Sequence, residues 1–326
     1  MKVTLLAFPN VLASAVTGLI DTFRLANRVA GDAVVDWRLV GPASTAGTIT
    51  TSCGLGLAAR AATLRHDDWL VLPGLDHASV EDLVLRVQHA RPVVRQVKRF
   101  LDHGSRVASA CSSAFFLAEA GAISGRKATV SWWLAGELAR RYPQVQVQAD
   151  QLTVRDGPAL TAGAVTAYHD LALELVEEAA GPELRSQVAK IMLLDPSRES
   201  QAPYAIRSVA AHGRPLVVDE AHRWLVEHLA DPELSLTALA DHCCVSPRTL
   251  LRRFRESHGR TPQEVLRELR IERACSLLES STLAVEQIAF QCGYTHTAAF
   301  RTAFRAVRSM TPGSYRRRFA LVRGTA

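Results

Sequence analysis

The chain predicts an α/β domain with a mostly parallel sheet, followed by an all-α domain that holds two helix-turn-helix motifs. Three observations predict it. Strand-like and helix-like stretches alternate over the first 180 residues, which is the signature of βαβ units. Near the C-terminus one pattern is written twice at an offset of 50 residues: Leu250 matches Phe300, Phe254 matches Phe304, and Thr261-Pro262 matches Thr311-Pro312. Charge is divided unevenly as well. From Cys244 onward there are 15 arginines against six glutamates, +9, while the remaining 23 basic and 26 acidic residues leave −3. A near-neutral body with a basic end points to nucleic acid as the partner of that end. At 326 residues, 48% hydrophobic and 21% charged, the chain has enough apolar material for two or three cores and is not a disordered polyelectrolyte.

Taken in order, residues 2–8 read as a buried strand and 14–30 as an amphipathic helix. Residues 36–41 and 69–72 are short apolar runs that end in Gly or Pro-Gly. A helix over 92–103 stops at Gly104, and 106–110 is another strand. In such sheets ligands sit at the carboxyl ends of the strands. Two ends stand out: Val71-Leu-Pro-Gly74, and Ala110-Cys111-Ser112-Ser113, where strand gives way abruptly to a helix over 114–120. A cysteine on that turn sits at a helix N-terminus, where the dipole favours thiolate and backbone N–H groups can hold an anion.

This turn resembles the nucleophile elbow of the class I glutamine amidotransferase-like superfamily, in its intracellular-protease-like branch. The text from Gly125-Arg-Lys-Ala-Thr through Leu134-Ala-Gly-Glu-Leu to Asp156-Gly-Pro-Ala-Leu-Thr-Ala-Gly163 is similar to that branch as it occurs in fused regulators. The resemblance covers about 1–180 and implies a flavodoxin-like sandwich, with Asp21, Gly74, Cys111 and Ser112 at the ligand pocket. Four departures, three from the superfamily's usual pattern and one, Ser131, from the fused regulators, favour binding over catalysis. Ser112 replaces the His that often follows the Cys, and Ser113 replaces a Gly. Asp21 is one methylene shorter than the usual Glu, and Ser131 replaces a His before Trp. His169-Asp170 remains at a helix start. No catalytic residue, cofactor or metal is expected; the rival reading is a cysteine hydrolase or hydratase with a DNA-binding tail. Cys111 alone reads equally well as a small buried hydrophobe, and Asp21 as a helix-surface carboxylate.

Between the halves, a helix over 183–194 is followed by a stretch punctuated by Pro196, Pro203, Gly213 and Pro215, the natural linker. The expected division is 1–185, a linker at 186–215, and 216–320. A helix over 217–229 then leads to the first copy of the repeat. That copy runs Leu236-Thr-Ala-Leu-Ala240, turns, and continues from Ser246 to Phe254. On a helical wheel Leu250 and Phe254 stack four apart, with Arg248 and Arg252 opposite, flanked by Thr249 and Arg253. An arginine face on a seated helix suits a DNA major groove. Thr261-Pro-Gln-Glu264 is a capping box with Pro at the first helical position, opening one rod that spaces the two modules. The second copy runs Val285-Glu-Gln-Ile-Ala289, turns at Gly293-Tyr294, and continues from Thr297 to Phe304.

The repeated stretch resembles the DNA-binding domain of the AraC/XylS family of bacterial transcription regulators over about 100 residues. The resemblance implies DNA contacts from Ser246, Arg248, Thr249, Arg252, Arg253, His296, Thr297, Arg301 and Arg305. Its implied partners are double-stranded DNA, a small-molecule effector such as a nitrogenous metabolite, a second copy of the chain, and RNA polymerase, in an activator's role. One departure is Arg308-Ser309, where the family has Phe-Gly; this predicts a less tightly capped helix end. The six cysteines lack metal-ligand spacing and read as reduced thiols. Residues 1–8 are too short for a signal-peptide core and no apolar run reaches membrane-spanning length, so the expected compartment is the cytoplasm, with no membrane partner.

Overall fold

In a computed structural model the chain divides into two compact units, Met1–Gln201 and Ala202–Ala326. Residues 1–42, 47–63, 69–195, 198–205 and 216–321 are described.

The first unit opens with β1 (Lys2–Leu6), α1 (Ala13–Ala30) and β2 (Asp36–Gly41), then the hairpin β3 (Gly47–Thr50) and β4 (Gly56–Ala61), and β5 (Trp69–Leu72). Helices α2 (Val80–His89) and α3 (Arg91–Asp102) precede β6 (Arg106–Ala110), which runs into α4 (Ala114–Glu119). Next come β7 (Lys127–Ala128), α5 (Ala135–Arg141) and β8 (Gln146–Val147). The hairpin β9 (Thr153–Asp156) and β10 (Ala159–Ala162) leads to α6 (Tyr168–Ala180) and α7 (Pro182–Ile191).

Eight strands form one sheet in the order β3-β4-β2-β1-β5-β6-β10-β9, and β7 pairs with β8 in a separate small ribbon. The interior pairs are parallel, and only the two edge hairpins are antiparallel. The expected mostly parallel α/β domain is therefore the fold observed. Burial explains the arrangement. Strands β5 and β10 are buried along their whole length, as strands covered on both faces must be. One face packs Phe8, Phe100, Phe115 and Phe116; the other packs Leu19, Phe23, Trp69 and Leu171. Helix α1 buries Ala15, Val16, Leu19, Phe23 and Ala26 at helical spacing and ends on Gly31 in the left-handed region.

The expected linker start at 186 falls inside α7. Leu184, Val188 and Ala189 are buried in the sheet's helix-covered core, so the chain remains with this unit to Gln201. Part of the expected linker, 196–197 and 206–215, lies outside the described residues.

The second unit contains α8 (Leu216–Glu227), α9 (Leu236–His242), α10 (Pro247–His258), α11 (Pro262–Ser280), α12 (Val285–Gln291), α13 (Thr297–Arg308) and α14 (Pro312–Phe319). Helix α11 spans two cores, as the single-rod reading requires. Val265, Leu266 and Leu269 join Leu239, Leu250 and Phe254, whereas Ile271, Ala274 and Leu278 join Ile288, Phe300 and Phe304. Its start is the expected capping box: Glu264 N–H donates to Thr261 Oγ1, and Thr261 N–H donates to Glu264 Oε2 at 2.7 Å. The turn of the second module needs glycine. Gly293 has φ 77°, and a Cβ there would lie 2.6 Å from the Leu229 carbonyl oxygen.

Candidate functional site

The sheet places one site. Strands β1 and β5 are neighbours although the chain visits β2, β3 and β4 between them, so the connections reverse direction there. The carboxyl end of β5 is Leu72-Pro73-Gly74, and that of β6, its other neighbour, is Ala110-Cys111. Cys111 has φ 56°, the left-handed conformation of a non-glycine residue on a strained turn. A 3-10 turn at Cys111–Ser113 then delivers the chain into α4. Gly74 is small for a reason: an added Cβ would lie 3.0 Å from Leu12 Cδ1 and 3.3 Å from Cys111 Cβ.

The elbow's polar atoms are mostly committed to holding it. Ser112 Oγ donates to the Leu75 carbonyl at 2.6 Å and accepts from Leu75 N–H at 3.0 Å. Ser113 Oγ donates to the Pro73 carbonyl. Cys111 Sγ lies 2.9 Å from Ser131 Oγ. Ser131, the residue standing where the resemblance would place a histidine, is thus the thiol's polar partner. A hydroxyl is not a base at neutral pH. Burial pushes the Cys111 thiol above its ordinary pKa, against the lowering effect of the Ser131 and Ser112 hydrogen bonds, and the Asp76 charge adds to the rise.

Asp21 is exposed on α1 and its charge acts on His169, while the charge of Asp76, in the exposed turn after β5, acts on Cys111. His169 Nδ1 is 3.2 Å from Thr22 Oγ1, and the ring packs on Tyr168. Its pKa is lowered by burial first, with Arg198 adding to the lowering and Asp170 and Asp21 opposing it. Asp170 is ion-paired with Arg198. His169 therefore faces α1, and Asp170 is held by Arg198. Asp76 carried no sequence signal beyond standing two residues after Gly74.

The second candidate site is the arginine face of the C-terminal unit. Ser246 caps α10 by accepting from Thr249 N–H, and its hydroxyl is 2.8 Å from Thr249 Oγ1. Leu250 and Phe254 are fully buried, which turns Arg248 and Arg252 outward as exposed residues; Thr249 and Arg253 are half-buried beside them. In the second module Phe300 and Phe304 are fully buried, and His296, Ala298, Arg301, Thr302 and Arg305 are exposed, with Thr297 half-buried. Arg301 Nη2 pairs with Glu286 on α12 at 2.9 Å. Arg305 pairs with no carboxylate among the described residues. It lines a groove of about 660 Å³ together with Thr302, Thr311 and Gly313, at the N-terminus of α14. A helix N-terminus beside an arginine suits a phosphate.

The expected loose end of α13 is not found. Ser309 adopts φ 56° and its N–H donates to the Arg305 carbonyl at 2.9 Å. Gly259 ends α10 in the same way, with φ 67° and an N–H bond of 2.9 Å to Arg255. Serine can enter the left-handed region when the surrounding contacts hold it there, at about 1 kcal/mol.

Among the described residues, no cluster of three or more His, Cys, Asp or Glu side chains could hold a metal, and no helix is long and apolar enough to cross a membrane. The described cysteines are free thiols.

Comparison with known proteins places both halves. The model of the DJ-1/PfpI family matches residues 1–178, and that of a helix-turn-helix domain matches 239–318. HTH-type transcriptional regulator CdhR of Pseudomonas aeruginosa is 28% identical over 320 residues, which are 95% of this chain and 90% of that protein. HTH-type transcriptional regulator GlxA of Rhizobium meliloti is 32% identical over 226 residues, 68% of each. The crystal structure of Drosophila melanogaster DJ-1beta superposes with a TM-score of 0.50 at 19% identity, covering 60% of this chain and 98% of that one, and shares its fold.

Proposed function

Because the chain belongs to the DJ-1/PfpI family over its first half and to the AraC-type HTH transcriptional regulators as a whole, we propose that its DNA binding is governed by a small metabolite held at the Cys111 elbow. That the protein is a DNA-binding transcription regulator follows from the family. The sensor role and the absence of turnover are our reading. One observation carries it: the side chains that hydrogen-bond the Cys111 thiol are the hydroxyls of Ser131, at 2.9 Å, and Ser112, inside a buried site that raises the thiol pKa. Nucleophilic catalysis needs a base at that position. A ligand at the carboxyl ends of β5 and β6 meets Gly74, Asp76 and Cys111, and the Asp76 carboxylate suits a cationic or nitrogenous group. In this reading Ser112 supports the turn through Leu75, and Asp21, whose charge acts on His169, is not assigned to the pocket.

In this reading the regulator acts as an activator. It binds DNA as a homodimer, with each copy gripping two successive major-groove segments about one helical turn apart, and it engages RNA polymerase. The direct test is a thermal-shift screen of metabolites on residues 1–201. A ligand that binds only the folded state raises the melting temperature, and it should be recovered chemically unchanged. Turnover of a hit that disappears in Cys111→Ala would establish the hydrolase or hydratase reading instead.

A further inference from the structure

Arg308 is a charged residue in a core. It is 3% exposed at the end of α13, and its guanidinium forms no ion pair with a carboxylate among the described residues. Its Nη1 donates to the Ala202 carbonyl at 3.3 Å and also to the Ala205 carbonyl. Nε is buried without a partner, and the Cys275 thiol lies beside the group. Arginine cannot shed its charge at any accessible pH, so these carbonyls are what make its burial tolerable. Aromatic contacts hold the same segment: Tyr204 meets Phe319 edge-on at 5.3 Å, and the Arg318 guanidinium lies 5.5 Å over the Tyr204 ring. The segment 202–205 is therefore part of the second module's fold.

The residue before it is anchored just as firmly in the first unit. Gln201 is 1% exposed. Its Nε2 donates to the Val130 and Ala149 carbonyls, each at 2.8 Å, and its Oε1 accepts from Trp132 N–H at 3.2 Å. Gly163 makes room, since a Cβ there would lie 2.7 Å from Gln201 Oε1. Between Val130 and Trp132 stands Ser131, the partner of the Cys111 thiol. One peptide bond joins Gln201 to Ala202, so the two anchors are adjacent along the chain.

We propose that Arg308 is a positioning residue for the second recognition helix. It locks 202–205 onto the end of α13, so that a shift of the loop carrying Ser131, passed through Gln201, is felt at the helix that meets DNA. The proposal supplies a route for the regulation read above and rests on the chain being a DNA-binding regulator. It does not require that an effector be known.

The test is a double-mutant cycle in the full chain, on a duplex selected in vitro for wild-type binding. Dissociation constants are measured for wild type, Gln201→Ala, Arg308→Met and the double variant, without effector. Each single change is expected to move Kd at least threefold. The double variant is expected to fall short of the product of the two factors by at least twofold. A coupling factor below two, or single variants within twofold of wild type, overturns the proposal. Should Arg308→Met fail to fold, Tyr204→Ala takes its place, since Tyr204 is 39% exposed and loosens the same segment without emptying a core. Arg308→Lys keeps the charge and a group that donates hydrogen bonds, and should restore most of the coupling. A protein blind to every metabolite would leave this cycle intact, so the two readings fail separately.

Discussion

The thiols differ in ways that a reagent can read. Cys53 is exposed, and hydrogen bonding from Thr51, then Leu55, lowers its pKa. Cys111 is buried and its pKa is raised by that burial. The thiolate is the reacting species. Alkylation with iodoacetamide at pH 7.5 should therefore modify Cys53 before Cys111, by about tenfold or more in rate; peptide mass spectrometry gives the order. Rapid, selective labelling of Cys111 would mean an activated nucleophile and would remove the basis for a binding elbow. At this scale the sequence was partly legible. The abrupt change from strand to helix located Cys111, and the sequence already put a hydroxyl, Ser131, where the resemblance would place a histidine. The position of Asp21 was not legible, because register along α1 decides which turn faces the sheet edge.

Among the elements, the starts of β5 and β6 are tied to α6 by one cluster. Trp69 is fully buried and its Nε1 donates to Glu178 Oε1 at 3.2 Å. Arg106 pairs with Glu178 at 2.5 Å and lies 4.5 Å over the indole, while Arg155 on β9 pairs with the other carboxylate oxygen at 2.8 Å. Burial alone would raise the Glu178 pKa; the Trp69 hydrogen bond and the Arg106 and Arg155 charges outweigh it, and the net shift is downward. A depressed carboxylate contributes stability that is complete above its unfolded pKa of about 4.3 and is lost as pH falls through the folded value. Wild type should melt above Glu178→Gln by a steady margin from pH 7 to about pH 5, and the margin should shrink below about pH 4.3. A gap that persists unchanged to pH 3 would mean that the carboxylate's charge is not what holds the cluster. Strong elements were legible here: β1, β2, β5, β6, α1, α3 and the two repeat modules all carry a clear period. The hairpins β3-β4 and β9-β10 were not. They are short edge strands in which exposed residues outnumber buried ones on β3, β4 and β9, so alternation is too brief to register. Helix α7 was legible as a helix but not as part of the first unit, because burial of Val188 depends on a core assembled from distant sequence.

For the whole molecule, the offset of 50 residues made the paired modules visible, but repetition conceals an asymmetry between them. Helix α10 presents exposed Arg248 and Arg252. On α13 the comparable face offers Ala298 and Thr302, with Arg301 engaged by Glu286 and Arg305 beside the N-terminus of α14. Base edges are read by side chains aimed into the groove, whereas phosphates are met at its flanks. Arg252→Ala should therefore weaken cognate binding by about 1–3 kcal/mol and relax preference at one or two base pairs. Arg305→Ala should weaken cognate and scrambled duplexes alike and lower the salt slope by about one. Equal loss of specificity in the two variants would show that both helices read sequence.

The link between the two units is tested most directly by one titration. The dissociation constant of the full chain for its selected duplex is measured with and without the metabolite that stabilises residues 1–201. A shift of about fivefold or more, equivalent to about 1 kcal/mol of coupling, is the expected result, with the metabolite recovered intact. An unchanged constant, or a metabolite consumed by wild type and spared by Cys111→Ala, would contradict a sensor built on the elbow.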